Sequence, residues 1–434
     1  MDRLNLSTLP SYCAHEHWGS IAAIGTTPEG FRADVERGAL PRWRVGLFDI
    51  LLDPYFGGNL ASSGIPLEVS RMLNMQNPHS LDPADLVRAW RLLQPLLSAN
   101  YLTGAFQCIR YGLLQLYNID IQDADDAAIV ELDTTIGARY ADIFIWYRDA
   151  MTQVHFSDLI RPVHPEYYSR IDTADSAAAE AAMTRTVMRI DPLFDLWPTA
   201  SPRRANLAAT VGIDPGDAAT WRKFLQALFD LAACQGALGI KQLQAYSRSL
   251  EFIPHQDSDV RFRGELTPAE MRVFQDWVVH ECCTQAHERG WPQQVHVGTH
   301  NIGQSSPMPL LELARRYPNM AIVQLHCWPF LNEAGWLAKQ MPNVYIDTCW
   351  LPILNPAYYR QALQGWCNYV PTNKILCSHD ATSVEMAAGS AYFVRTILAE
   401  ILEAQQRTFK ESSKMLCDVA RRLLYDNAAR LYAH

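Results

Sequence analysis

"TPAEMRVFQDWVVHECCTQAHERG" (267–290), then Trp291 and Pro292, then "QQVHVG" (293–298): a helix pattern stops and a strand pattern starts. Thr267 reads as the N-cap, Pro268 takes the first helical position and Glu270 stands at N3, the order of a capping box. The run that follows is short, apolar and β-branched, the pattern of a buried strand.

The same alternation extends on both sides. Strand-like runs occur at "FSDLIRPV" (156–163), "TRTVMRID" (184–191), "ALGIKQLQAY" (237–246), "MAIVQLHCW" (320–328), "NVYIDTCW" (343–350) and "KILCSHDA" (374–381). Helical segments such as "PLLELARRYP" (309–318) and "AGWLAKQMP" (334–342) lie between them. Alternating strands and helices imply a parallel sheet covered by helices. With "SYCAHEH" (11–17) there are eight runs, the number in a closed (β/α)₈ TIM barrel. An open doubly wound sheet is the alternative, but no glycine-rich dinucleotide fingerprint is present.

Between the first run and residue 155 the texture changes. Residues 81–117 and 125–151 carry apolar residues at helical spacing, and Asp82 followed by Pro83 marks a helix start. The expected organisation is a barrel from residues 1–25 and 151–434, with residues 26–150 a mainly helical insertion over the barrel mouth.

Composition narrows the function. The chain has 434 residues, 49% hydrophobic and 19% charged, which fits a globular protein with a sizeable core. A formal net charge of -9 with no basic run argues against nucleic-acid and anionic-membrane partners, leaving a small-molecule substrate and an open question of self-association into a homo-oligomer. No apolar run approaches the roughly 20 residues that span a bilayer. The start shows no signal peptide. The 10 cysteines are scattered without a C-x-x-C, as expected of a reduced, cytoplasmic protein.

The chemistry-bearing residues recur at the ends of the runs. "AHEH" (14–17) places His15 and His17 two apart, and in a strand such residues share a face while Glu16 points the other way. Taken alone, the pair serves a metal, solvent or a core equally. Lys241, His296, His326 and Asp380 stand at or near the ends of later runs. In a (β/α)₈ barrel the active site lies at the carboxyl ends of the strands. All six are metal-ligand or acid–base types, and so many buried polar groups would otherwise each need a partner.

Together with "GIKQLQAYSRSL" (239–250), "QVHVG" (294–298), "QLHCWPFLNEAGWLA" (324–338) and "DNAARLY" (426–432), these motifs resemble the amidohydrolase superfamily. The resemblance is to its amidohydrolase-related hydrolases and decarboxylases, nearest a subgroup also found fused to glutamine-synthetase-like domains. It covers most of 11–25 and 155–432; the helical insertion is only weakly similar. It implies that His15, His17, His296, His326 and Asp380 hold one or two divalent ions. Zinc suits imidazole and carboxylate ligands, with manganese or iron as alternatives. Asp380 would take the proton from water, and His326 would bind metal or steady an oxyanion. Lys241 matches a lysine that is carboxylated in two-metal members; a salt bridge or substrate contact is its plainer role. Arg248 matches an arginine whose fork suits a substrate carboxylate, with a surface ion pair as the alternative. The chain departs from the family in "SHD" (378–380), where His379 adds an ionisable neighbour to the aspartate.

The expected function is metal-dependent hydrolysis of a C–N or C–O bond in a small, carboxylate-bearing molecule. Decarboxylation, or more distantly sugar-acid isomerisation, is the alternative in the same fold. A non-catalytic binding or signalling role is a third reading.

Overall fold

The fold was taken from a computed structural model, which describes residues 4–17, 45–66, 69, 81–141, 143–170 and 184–433. Eight strands form one sheet in chain order, β1 (Ser11–Cys13), β2 (Phe156–Val163), β3 (Arg185–Arg189), β4 (Ala237–Gln242), β5 (Gln293–Val297), β6 (Ile322–His326), β7 (Val344–Asp347) and β8 (Ile375–Leu376). The pairs from β2 to β8 are all parallel. Each strand falls within a run read from the sequence.

Helices separate consecutive strands, as parallel pairing requires. They include Ala218–Cys234 before β4, Pro268–Arg289 before β5, Leu310–Arg316 before β6 and Leu331–Gln340 before β7. This is the (β/α)₈ class expected from the alternation. The helix starting at Pro268 shows its local cause. The Thr267 side chain accepts from Glu270 N–H, Glu270 reaches back to Thr267 N–H at 2.8 Å, and Gly290 closes the helix in the left-handed region at φ 66°. Strands β4, β5 and β6 are buried at every position, the mark of a parallel sheet covered on both faces.

Between β1 and β2 the described residues form helices, among them Pro54–Ser62, Pro83–Ala99, Gly104–Tyr117, Asp126–Tyr140 and Ile143–Gln153. Asp82 caps the second of these and Pro83 opens it. Residues 18–44, which span the end of the expected first barrel segment and the start of the expected insertion, and most of 67–80 within that insertion lie outside the described residues. Among the described residues no helix is long and apolar enough to cross a membrane, and the cysteines form no disulfide.

The chain divides into two compact units. One comprises Met1–Asp158, Cys349–Gln364 and Ser378–Arg421; the other comprises Leu159–Thr348, Gly365–Cys377 and Arg422–His434. In the first unit, helices Gly104–Tyr117 and Val384–Phe409 meet backbone to backbone. A Cβ at Gly112 would collide with the Glu385 carbonyl, and one at Gly389 with that of Cys108. Beside this crossing the buried Glu385 carboxylate accepts from Tyr117 at 2.6 Å and Tyr140 at 2.8 Å.

Candidate metal centre

In the first unit three ligand-type side chains converge. His17 Nε2 lies 3.2 Å and His15 Nε2 3.6 Å from Asp380 Oδ1. The two imidazoles meet edge-on with ring centroids 5.1 Å apart. His15 and Asp380 are buried, whereas the His17 side chain is 34% exposed and gives the group an open side. Two imidazoles and a carboxylate are a donor set that suits zinc, manganese or iron. Donors sharing one ion at about 2.0–2.2 Å with tetrahedral angles stand roughly 3.3–3.6 Å apart, so the observed separations fit.

The convergence does not come from a strand, as the i, i+2 reading of "AHEH" expects. Strand β1 ends at Cys13, and His15 and His17 lie beyond it. They are held by the segment after β8. Ala14 N–H donates to Ser378 Oγ at 2.8 Å, Asp380 N–H to His15 O at 3.0 Å and His17 N–H to Ala381 O at 3.0 Å. Glu16 between them is buried, and burial together with the Asp380 charge pushes its carboxyl well above the usual range.

Two further residues complete this side. Tyr55, from the helix Pro54–Ser62, donates its hydroxyl to Asp380 Oδ1 at 3.4 Å, and its ring lies 4.6 Å from Trp350. Nothing in the sequence pattern singles out Tyr55, although "DPYF" (53–56) does announce the helix start that delivers it. His379 departs from expectation. Its ring stacks on Phe156 at 4.9 Å, Nδ1 lies 3.0 Å from Ser390 Oγ, and burial with the nearby Arg395 charge drives its pKa down to about 3. It is a neutral core group at physiological pH, not an ionisable partner for Asp380.

The second unit holds the later-strand residues. His326 Nε2 lies 3.0 Å from His296 Nδ1, and His296 Nε2 lies 2.8 Å from Thr299 Oγ1. Burial, with the charges of His326 and Lys241, holds the His296 pKa well below its usual value, so this imidazole is neutral and fit to act as a ligand. Lys241 is buried in β4. Tyr246 packs on His296 at 4.5 Å and on the exposed His300 at 4.4 Å. Gly298, at φ 73°, has no room for a Cβ against the Trp328 carbonyl, and this close approach aligns the ends of β5 and β6.

Arg248 has acceptors of its own in this unit. Its guanidinium bonds the buried Asp276, Gln275 Oε1 at 3.1 Å and Glu251 O at 2.9 Å. It also lines a cavity of about 370 Å³ with Arg189, Arg203 and the acids Asp191 and Asp195.

Strain marks the same strand ends. Left-handed φ values occur at Thr299 (59°), His326 (66°), Trp350 (66°) and Asp380 (57°), at or after β5, β6, β7 and β8 in turn. Non-glycine residues adopt this region at a cost of roughly 1–2 kcal/mol, and such strain concentrates where geometry serves function.

The family model described as amidohydrolase matches residues 166–433. Protein fluG of Emericella nidulans is 27% identical over 182 residues, which are 37% of this chain and 21% of that protein's length. The chain thus matches about a fifth of that relative. Among solved structures, a uronate isomerase of Thermotoga maritima aligns with a TM-score of 0.75 at 13% identity, covering 98% of this chain and 95% of its own. A protein of Lactobacillus casei described as a metal-dependent hydrolase aligns at 0.64 and 16% identity, covering 100% and 98%. At these identities the structures share the fold.

Proposed function

Because the chain belongs to the amidohydrolase family, we propose that it is a hydrolase of a small, carboxylate-bearing amide, lactone or similar compound, with His15, His17 and Asp380 holding a divalent cation, zinc for preference. One observation carries this reading: the placement of Asp380 Oδ1 within 3.6 Å of both imidazoles. A divalent ion there would supply Lewis acidity and lower the pKa of water from about 15.7 toward roughly 7.

The chain's own groups would then handle the protons. Asp380 accepts one from the attacking water and returns it to the leaving group. The Tyr55 hydroxyl, on the same carboxylate oxygen, orients Asp380 and tempers its basicity. His296 and His326 are proposed as further ligands, with His326 alternatively donating to an oxyanion, and Lys241 as a carboxylated ligand or a substrate contact. Arg248 is proposed to meet the substrate carboxylate through the cavity it lines. A place in the subgroup fused to glutamine-synthetase-like domains is likewise a proposal, supported by the likeness to fluG.

A second reading is non-hydrolytic chemistry, either decarboxylation or the isomerisation of a sugar acid that names the Thermotoga structure. The test is metal analysis of the purified protein, then a screen of small acids, amides and lactones. A new carboxylate with a released amine or alcohol supports hydrolysis. Carbon dioxide release, or an isomer of unchanged mass, overturns it in favour of the second reading.

A further inference from the structure

We propose that Glu16, the residue between the two histidines, is a positioning residue that locks Asp380 onto them. The inference rests on the reading of His15, His17 and Asp380 as a cation site.

Three consecutive amides around the aspartate are fixed by the first strand and its continuation. His379 N–H donates to Cys13 Sγ at 3.3 Å, Asp380 N–H to His15 O at 3.0 Å, and Ala381 N–H to Glu16 Oε2 at 2.7 Å. The last is the shortest, and of the three it alone depends on a long side chain. Glu16 is itself held, because Cys13 S–H donates to its other oxygen at 3.1 Å. The same Cys13 sulfur therefore steadies both Glu16 and the amide preceding Asp380.

This bracing has something to resist. Asp380 sits at φ 57°, a conformation that persists only where the surroundings over-determine it. Glu16 and Ala381 are fully buried, so without the carboxyl oxygen the Ala381 amide would have to find another acceptor in a water-poor interior. The cheapest escape is rotation of the peptide joining Asp380 to Ala381. Once that peptide turns, the Asp380 backbone loses the bracing that holds it in the left-handed region, and its relaxation swings the carboxylate away from the imidazoles. Glu16 thus acts through Asp380, with its own oxygens engaged by Ala381 and Cys13.

The test compares Glu16→Met, which fills the space without an oxygen acceptor, with Glu16→Gln, which keeps one. Hydrogen–deuterium exchange over residues 378–384 is read in the metal-free protein, and Zn²⁺ affinity by competition with a chromogenic chelator. The expected result is faster exchange and Zn²⁺ binding weakened about 10–100-fold in Glu16→Met, with both restored in Glu16→Gln. Wild-type exchange and affinity in Glu16→Met overturn the proposal. So does a Glu16→Gln variant that melts normally yet exchanges like Glu16→Met. If wild-type protein binds no Zn²⁺, the cation-site reading fails, and the exchange arm still decides whether Glu16 braces Asp380. If Glu16→Met does not fold, exchange in Glu16→Gln decides: retained protection supports the acceptor role and lost protection overturns it.

Discussion

The backbone N–H of Asp380 donates to the carbonyl of His15 at 3.0 Å, so an aspartate and a histidine 365 positions apart are neighbours through their main chains before their side chains meet. A site assembled in this way should be preformed. Metal-free wild-type protein is expected to bind Zn²⁺ or Mn²⁺ saturably in calorimetry, with little change in far-UV circular dichroism. Loss of either imidazole, in His15→Ala or His17→Ala, should weaken binding sharply. Unchanged affinity in both variants would remove these residues from the ligand set.

Asp380→Asn keeps the size and one acceptor oxygen but removes the basic carboxylate. At full metal occupancy, kcat on a substrate found by screening should fall roughly 10²–10⁴-fold, the usual contribution of a placed general base. Near-normal turnover would transfer that role to another residue. His379 is a poor heir, since burial and the Arg395 charge drive its pKa down to about 3 and leave it a weak proton acceptor.

Tyr55→Phe deletes a single hydroxyl on Asp380. The bond is long, 3.4 Å, so the expected loss is modest: about 1 kcal/mol, or roughly fivefold in kcat/KM. The lost donor should also move the acidic limb of the pH–rate profile upward, because a carboxylate accepting one hydrogen bond fewer holds its proton more tightly. A profile identical to wild type would separate Tyr55 from the chemistry.

Asp53 supplies a pH effect on stability. It caps the helix Pro54–Ser62 through Tyr55 N–H, and burial raises its pKa to about 7. Its carboxyl binds a proton more tightly folded than unfolded, where the value is about 3.9. Its contribution to stability is therefore full below about pH 4 and is lost as pH rises through about 7. Asp53→Asn retains a capping oxygen and has no charge to bury. Relative to wild type its melting temperature should gain about 2–4 °C between pH 5 and pH 8. A parallel pH dependence in the two proteins would contradict this.

Arg248→Met should unfold the protein more easily whatever its effect on substrate. It leaves Asp276, 1% exposed, as a buried carboxylate without its main counter-charge, at a cost of about 3–5 kcal/mol. Adding Asp276→Asn should recover much of the loss. If the double variant is stable yet shows a raised KM for carboxylate-bearing substrates, Arg248 also contacts them. An unchanged KM would leave it a purely structural ion pair.

Much of the fold was legible because most strands are compact apolar runs bounded by turn residues, and because helix starts such as Thr267–Glu270 and Asp82–Pro83 are written locally. His15, His17 and Asp380 could be picked out as residues at strand ends, although β1 stops at Cys13 and the pair is presented by the turn beyond it. Tyr55 was not legible: its contact with Asp380 spans 325 positions and no periodicity links them. The partner of Arg248 lies inside a later helix, and the burial of His379 depends on Phe156 and Ser390. Such tertiary partners leave no trace in local spacing.

The paired glycines at 112 and 389 have an evolutionary corollary. The helix beginning at Val384 follows the Asp380 turn almost directly, and its seat against Gly104–Tyr117 is main chain on main chain. A substitution elsewhere in the helices between β1 and β2 leaves that seat untouched, whereas one methyl group at either glycine would lever the two helices apart and drag the aspartate turn with them. The crossing works as a datum from which both parts take their position. The surrounding helical sequence can drift while the Asp380 turn keeps its alignment, and a helical stretch transplanted from a relative should fit here only if it brings its own glycine to this joint.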